Sequence, residues 1–262
     1  MFCTRFFVTL HRLNGRRESI LDAAMRYSNI CCIIMQIAIV KYDAGNIFSV
    51  VNALRRLGIE PLLTNDREQL LKADGVLFPG QGEAASCMRS LKSNGLDEVI
   101  KDLKQPVLGI CVGQQLLCRH SEEGDTDCIG VFDVDVHRFR PTRHEDKVPC
   151  MGWNNISLTP DHSLTPNLSP QSEGNIERRG GSLTAQEVFT EGLFFGLQTP
   201  YVYFVHSYYV PVCEWTSAVA NYILPYSAAL QKDNFYTCQF HPEKSGMVGE
   251  QIIKNFLDIV KG

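Results

Sequence analysis

The sequence predicts an α/β fold, a mostly parallel central sheet with helices on both faces. Three observations carry this. Short, continuously apolar strands alternate with helical patterns from Gln36 onward, the signature of βαβ units whose strands are buried on both sides. The run Val107–Leu117 reads as a buried strand, a cysteine at a corner and a helix, with Gly109 and Gly113 flanking Cys111. The strand at Gly75–Phe78 ends at Pro79-Gly80-Gln81-Gly82, a turn at the carboxyl end of a strand, where open parallel sheets place their ligands.

The elements follow in order. Gln36–Lys41 is a β-branched strand, and Tyr42–Gly45 a turn. A helix starting at Asn46 carries Ile47, Val50, Val51, Leu54 and Leu57 at helical spacing, with Gly58 past its end. Pro61–Thr64 is a second strand, Arg67–Leu71 a helical turn, and Glu83–Leu91 and Leu96–Leu103 are helices before Pro106. His120–Gly130 is polar and turn-rich, and Val131–Phe139 alternates like a strand with one solvated face. Pro149–Ile156 holds Met151-Gly152-Trp153-Asn154 in a loop or short strand. Strands are expected again at Tyr201–Val210, Thr216–Tyr222 and Phe235–Phe240, and a closing helix at about Val248–Val260.

Two segments stand apart. Residues 1–34 hold five arginines against one glutamate and one aspartate and show no period. They read as an N-terminal extension outside the fold, ahead of a targeting segment or a structural arm as alternatives. Residues 35–262 form the domain, with a low-complexity insertion at about 160–190, where Ser157-Leu158-Thr159-Pro160 recurs as Ser163-Leu164-Thr165-Pro166. That insertion reads as a polar surface excursion, with a specificity lid as the alternative.

Bulk properties narrow the class. A net charge of −4 without a basic stripe argues against a nucleic-acid binder, and no apolar run is long enough to span a membrane. The ten cysteines include no C-x-x-C pair. Dispersed thiols of this kind suit a reducing compartment, so a cytoplasmic location is expected, and the sequence has no metal-ligand spacing.

The chemistry centres on Cys111. G-x-C-x-G is the cysteine version of a nucleophile elbow, in which a strained strand-to-helix turn exposes one side chain. The following helix aims its N-terminus at the sulfur and favours thiolate. The plainer reading is a buried cysteine at a strand end. A nucleophilic thiol needs a base. His241 follows a strand, as Cys111 does, and Glu243, two residues on in extended backbone, faces the same side and can orient the ring. A strand-end histidine bonded to backbone is the alternative. His206 is the second choice of base, more simply a half-buried strand histidine. The backbone N–H groups of Val112 and Gln81 could hold an oxyanion, although Pro79–Gly82 would serve equally as a plain turn.

Gly109-Ile110-Cys111-Val112-Gly113-Gln114-Gln115-Leu116-Leu117 together with His241-Pro242-Glu243 resembles the class I (triad) glutamine amidotransferases, with their flavodoxin-like fold. Tyr42–Ile47, Pro79–Gly82, Met151–Asn154 and Tyr203–Tyr209 are similar to the glutaminase subunits of imidazole glycerol phosphate synthase. The resemblance runs from Gln36 to Val260, broken by the insertion. Gln81 stands where an aliphatic or small residue is usual, and Gln114 where Met or His is usual.

The resemblance implies that Cys111 attacks the side-chain amide of glutamine, forming a glutamyl thioester and releasing ammonia. His241 acts as base and then acid, and Glu243 orients it. Gly82, Gln115, Glu123, Ser207 and Tyr208 hold the substrate. The resemblance also implies no metal and no organic cofactor. Asn46, Trp153 and Lys244 face a cyclase subunit, the other half of a heterodimer. That subunit uses the ammonia to make imidazole glycerol phosphate and aminoimidazole carboxamide ribonucleotide in histidine biosynthesis. Rival readings are the glutaminase of pyridoxal phosphate or anthranilate synthase, and a non-catalytic flavodoxin-like binding module.

Overall fold

The computed structural model describes residues 35–42, 47–158, 192–198 and 200–262. The extension 1–34, Asn46 at the expected helix start and the insertion at 160–190 lie outside the described residues.

The first half is a parallel α/β unit. Its strands are β1 (Ile37–Val40), β2 (Leu62–Thr64), β3 (Gly75–Gly80) and β4 (Val107–Cys111). Its helices are α1 (Phe48–Arg56), α2 (Arg67–Lys72), α3 (Ala84–Ser93) and α4 (Leu96–Asp102). Every residue of β1, β3 and β4 is buried, which is why they read as unbroken apolar runs rather than alternations. Helix α1 buries Val50, Val51, Ala53 and Leu54 and ends with Gly58 at φ +80°, just past its last turn. Asp66 caps α2 by accepting from the Gln69 N–H at 2.9 Å.

The strand order explains the layering. The nine-stranded sheet runs β2-β1-β3-β4 and on through β13 (Phe235–Cys238), β12 (Pro225–Lys232), β11 (Thr216–Asn221), β8 (Cys150–Leu158) and β9 (Tyr201–His206). The chain leaves β1 for β2 on one side and then crosses back to β3 on the other. Right-handed crossovers therefore put α1 on one face and α2, α3 and α4 on the opposite face. The last helix, α6 (Gly246–Lys261), joins α1, with Arg56 4.0 Å from Glu250 and Val260 packed over Gly75. It buries Ile252, Ile253, Phe256 and Leu257 as one stripe.

The sheet is mixed. Strands β2, β1, β3, β4 and β13 (Phe235–Cys238) are parallel. The remainder, β12 (Pro225–Lys232), β11 (Thr216–Asn221), β8 (Cys150–Leu158) and β9 (Tyr201–His206), continues antiparallel. Their connections include short hairpins, which only antiparallel neighbours allow. Strand β12 escapes sequence reading because P-Y-S-A-A-L-Q-K has no β-branched residue and no alternation. Met151–Asn154 lies within a nine-residue strand, and the first Ser-Leu-Thr-Pro copy begins at its end.

A second sheet of four strands, order β10-β7-β5-β6, lies beyond the elbow. It comprises β5 (Cys118–Ser121), β6 (Thr126–Asp127), β7 (Phe132–Arg138) and β10 (Tyr208–Tyr209). The polar stretch His120–Gly130 thus contains a hairpin. The expected strand Tyr201–Val210 is broken at Ser207, whose carbonyl accepts from the Phe139 N–H, and its two parts serve different sheets.

Candidate active site

The elbow is built by close approach. Cys111 ends β4 with φ 56° and ψ −109°, a conformation that costs a non-glycine residue on the order of 1–3 kcal/mol. Helix α5 (Val112–Leu116) begins at the next residue. The turn is this tight because Gly113 sits against β3: a Cβ there would overlap the Phe78 carbonyl oxygen. At Gly109 a Cβ would come within 2.9 Å of the Leu117 side chain. Gln114 is buried, takes a hydrogen bond from the Thr237 hydroxyl at 2.8 Å and donates to the Ser227 carbonyl at 3.2 Å. It pins α5 onto β13 and β12. The helix is only five residues long, so its macrodipole is smaller than the sequence pattern suggests.

Register brings the distant half of the site to the thiol. In β13, Cys238 pairs with Ile110 of β4, so the chain leaving β13 passes beside Cys111. His241 lies three residues beyond this strand, with its backbone N–H donated to the Tyr203 carbonyl at 2.9 Å. Its ring Nδ1 donates to Glu243 Oε1 at 2.8 Å, and both side chains are almost fully buried. Glu243 does not reach the ring by extended-strand alternation. Pro242–Lys244 is a 3-10 turn, which swings the carboxylate back under the imidazole. Burial opposes charge on His241, but hydrogen bonds to Cys111 and Glu243 and their charges outweigh it, and its pKa is pushed up to about 10.

His206 is a different kind of histidine. It is buried, its Nδ1 donates to the Tyr208 carbonyl at 2.8 Å, and its Nε2 accepts from the Tyr226 hydroxyl at 3.3 Å. Burial lowers its pKa to about 4, so it is neutral at pH 7.

A cavity of about 320 Å³ opens over the sulfur. Its walls include Cys111, His241, Gln81, Gly82, Val112, Gln115, Glu123, Ser207, Tyr208 and Lys244. Every substrate, oxyanion and catalytic residue expected from sequence therefore lines it except Glu243, which lies behind His241. Glu123 reaches it from the turn between β5 and β6, where its Oε2 accepts from the Ala84 N–H at 2.8 Å at the start of α3. Burial raises the pKa of this carboxyl, partly offset by that bond. Gln81 and Gly82 follow the end of β3, where Gly80 pairs with Cys111 and the buried Tyr42 hydroxyl donates to the Pro79 carbonyl at 2.9 Å. Trp153 is outside the cavity, half exposed on β8 and stacked on Tyr201. Lys244 is exposed at the cavity rim.

Sequence reasoning missed Gln239. It is fully buried, accepts from Gln115 Nε2 at 2.9 Å and donates to Cys111 Sγ at 3.7 Å. Its place just past a strand gave no signal without the tertiary contacts. Among the described residues no group of three or more His, Cys, Asp or Glu could hold a metal ion, and no helix is long and apolar enough to cross a membrane.

A cysteine elbow with a carboxylate-held histidine on a mixed α/β sheet defines a class of protein, the triad amidotransferases. The family model for glutamine amidotransferase class-I matches residues 39–260. The chain is 55% identical over 225 residues to imidazole glycerol phosphate synthase subunit HisH of Bacteroides thetaiotaomicron, covering 86% of this chain and 100% of that one. It is 40% identical to the HisH subunit of Escherichia coli K12, with the same coverage of each. The chain belongs to the class-I glutamine amidotransferase family, in its HisH branch. Solved structures agree on the fold. A glutamine amidotransferase superposes with TM-score 0.59 at 15% identity, covering 86% of this chain and 99% of that one. PurLQS from Thermotoga maritima gives TM-score 0.53 at 14% identity, with 85% and 97% covered.

Proposed function

We propose that this chain is the glutaminase subunit of imidazole glycerol phosphate synthase. It hydrolyses glutamine to glutamate and ammonia and delivers the ammonia to a cyclase subunit, in the cytoplasm. The observation that carries the reading is the buried His241–Glu243 pair bonded at 2.8 Å beside an elbow cysteine that opens into a cavity. The HisH relatives support the pathway.

The steps follow from the groups present. Glutamine enters with its α-amino group toward the Glu123 carboxylate and its carboxamide over Cys111. Gly82, Gln115 and the backbone at Ser207 and Tyr208 hold the rest. The Cys111 sulfur attacks the carboxamide carbon, and the thiol proton resides on His241. The Val112 and Gln81 N–H groups take the oxyanion. His241 then passes its proton to the departing nitrogen, ammonia leaves, and a glutamyl thioester remains. Water, with its proton taken by His241, attacks the thioester and releases glutamate, returning the sulfur. Glu243 holds the ring in one tautomer throughout. The raised pKa of His241 supports an imidazolium facing the sulfur in the resting site. The resemblance assigns Asn46, Trp153 and Lys244 to contacts with the cyclase.

The test is glutamine hydrolysis with and without a cyclase subunit carrying its nucleotide substrate. Activity should be low alone and strongly stimulated in the complex, and Cys111→Ala should abolish it while leaving the complex intact. Substantial hydrolysis indifferent to the cyclase would sink the pathway assignment, and hydrolysis by the alanine variant would remove Cys111 as nucleophile.

A further inference from the structure

The direction in which Gln239 faces Cys111 is fixed by a chain of bonds that allows one solution. The Tyr208 carbonyl can only accept, so the Gln115 amide atom 3.1 Å from it is the nitrogen. That same nitrogen lies 2.9 Å from the amide of Gln239, which must therefore present its oxygen. The Gln239 nitrogen is left toward the sulfur, at 3.7 Å. Flipping Gln239 would set two NH₂ groups against each other and turn a carbonyl oxygen to the sulfur. Complete burial removes any water that could relieve either fault.

We propose that Gln239 is a further catalytic residue, whose side-chain N–H donates to the Cys111 sulfur and whose orientation is locked from the substrate wall through Gln115 and the Tyr208 carbonyl. The proposal rests on the glutaminase reading for its substrate, but the donor itself does not. An N–H aimed at sulfur favours the electron-rich nucleophile, and again the thiolate leaving as the thioester breaks. His241 handles the proton, while Gln239 contributes a fixed dipole that needs no rearrangement during either step. Gln115 thereby has two tasks, lining the glutamine cavity and keeping the Gln239 donor turned toward the sulfur.

Two variants separate these tasks. Gln239→Glu keeps an acceptor for Gln115 but replaces the sulfur-facing donor with a carboxylate oxygen. Gln239→Met removes both ends at similar volume. On the full chain, alkylation of Cys111 by iodoacetamide at fixed pH, followed on the Cys111 peptide by mass spectrometry, should slow about tenfold or more in Gln239→Glu and less in Gln239→Met. In the complex with the cyclase, Gln239→Glu should lower kcat with KM near that of the wild type, whereas Gln239→Met should also raise KM. Wild-type alkylation rates in both folded variants would overturn the proposal. So would an unmoved Gln239 side-chain amide resonance when Cys111 of the wild-type chain is alkylated, a measurement that needs no variant to fold. Slowed alkylation in Gln239→Glu together with no glutaminase activity in the wild-type complex would leave the donor standing and sink the functional reading alone.

Discussion

Glu243 gives one carboxylate oxygen to His241 at 2.8 Å and leaves the other, Oε2, buried without a hydrogen-bond partner. Burying a bare carboxylate oxygen costs free energy that the charged ring beside it offsets. Replacing Glu243 by Gln should reduce glutamine hydrolysis by about 10²–10⁴-fold with the fold retained, as for loss of a ring-orienting carboxylate in other triads. Steady-state rates of the complex and a circular dichroism melt check both halves.

His241, held by Cys111 and Glu243 against the cost of its burial, makes stability depend on alkaline pH. The His241 pKa rises from the ordinary 6.5 to about 10 on folding. A folded-state pKa above the unfolded one stabilises fully below pH 6.5, and the contribution fades as pH rises through about 10. Urea midpoints should therefore fall between pH 7 and 10 in the wild type, and fall less in Glu243→Gln.

His206 works at the other end of the scale. Its pKa is about 4 when folded and 6.5 when unfolded. The unfolded chain takes up the proton first, so stability falls as pH drops from 6.5 to about 4, by on the order of 3 kcal/mol. His206→Asn should flatten this limb of a urea-midpoint profile.

Gly113 is the tightest point of the elbow. Gly113→Ala drives a Cβ into the Phe78 carbonyl oxygen and should cost about 3 kcal/mol or more, or prevent folding. Gly58→Ala, with φ +80° and open space around it, should cost only about 1–2 kcal/mol. Thermal melts of the two compare crowding with backbone strain.

We propose that residues 1–34 are not part of the fold, a reading supported by the family match beginning at residue 39. A chain starting at Met35 should melt at the full-length temperature and hydrolyse glutamine at the same rate. A lower melting temperature would show that the extension contributes to the domain.

Local sequence encodes local backbone and burial, and there the reading went far. The parallel half of the sheet was legible because β1, β3 and β4 are buried on both faces and must be apolar throughout. Cys111 was legible because its glycines are demanded by a turn that tolerates no Cβ. The antiparallel half was harder. Strand β12 owes its conformation to partners on both sides rather than to propensity. In the hairpin of β5 and β6, the two-residue β6 is the outer strand of its sheet, too short to show a period.

Neighbouring residues in the chain were enough to mark the elbow, its thiol and the residue types that could serve it. The tertiary structure decided which of two histidines faces the sulfur, through the pairing of β13 with β4. It decided how Glu243 meets the ring, through a 3-10 turn rather than a strand. It also brought Gln239 to Cys111 across 128 positions of chain. Contacts at that separation are selected by the burial and register of whole strands, which no short window of residues contains.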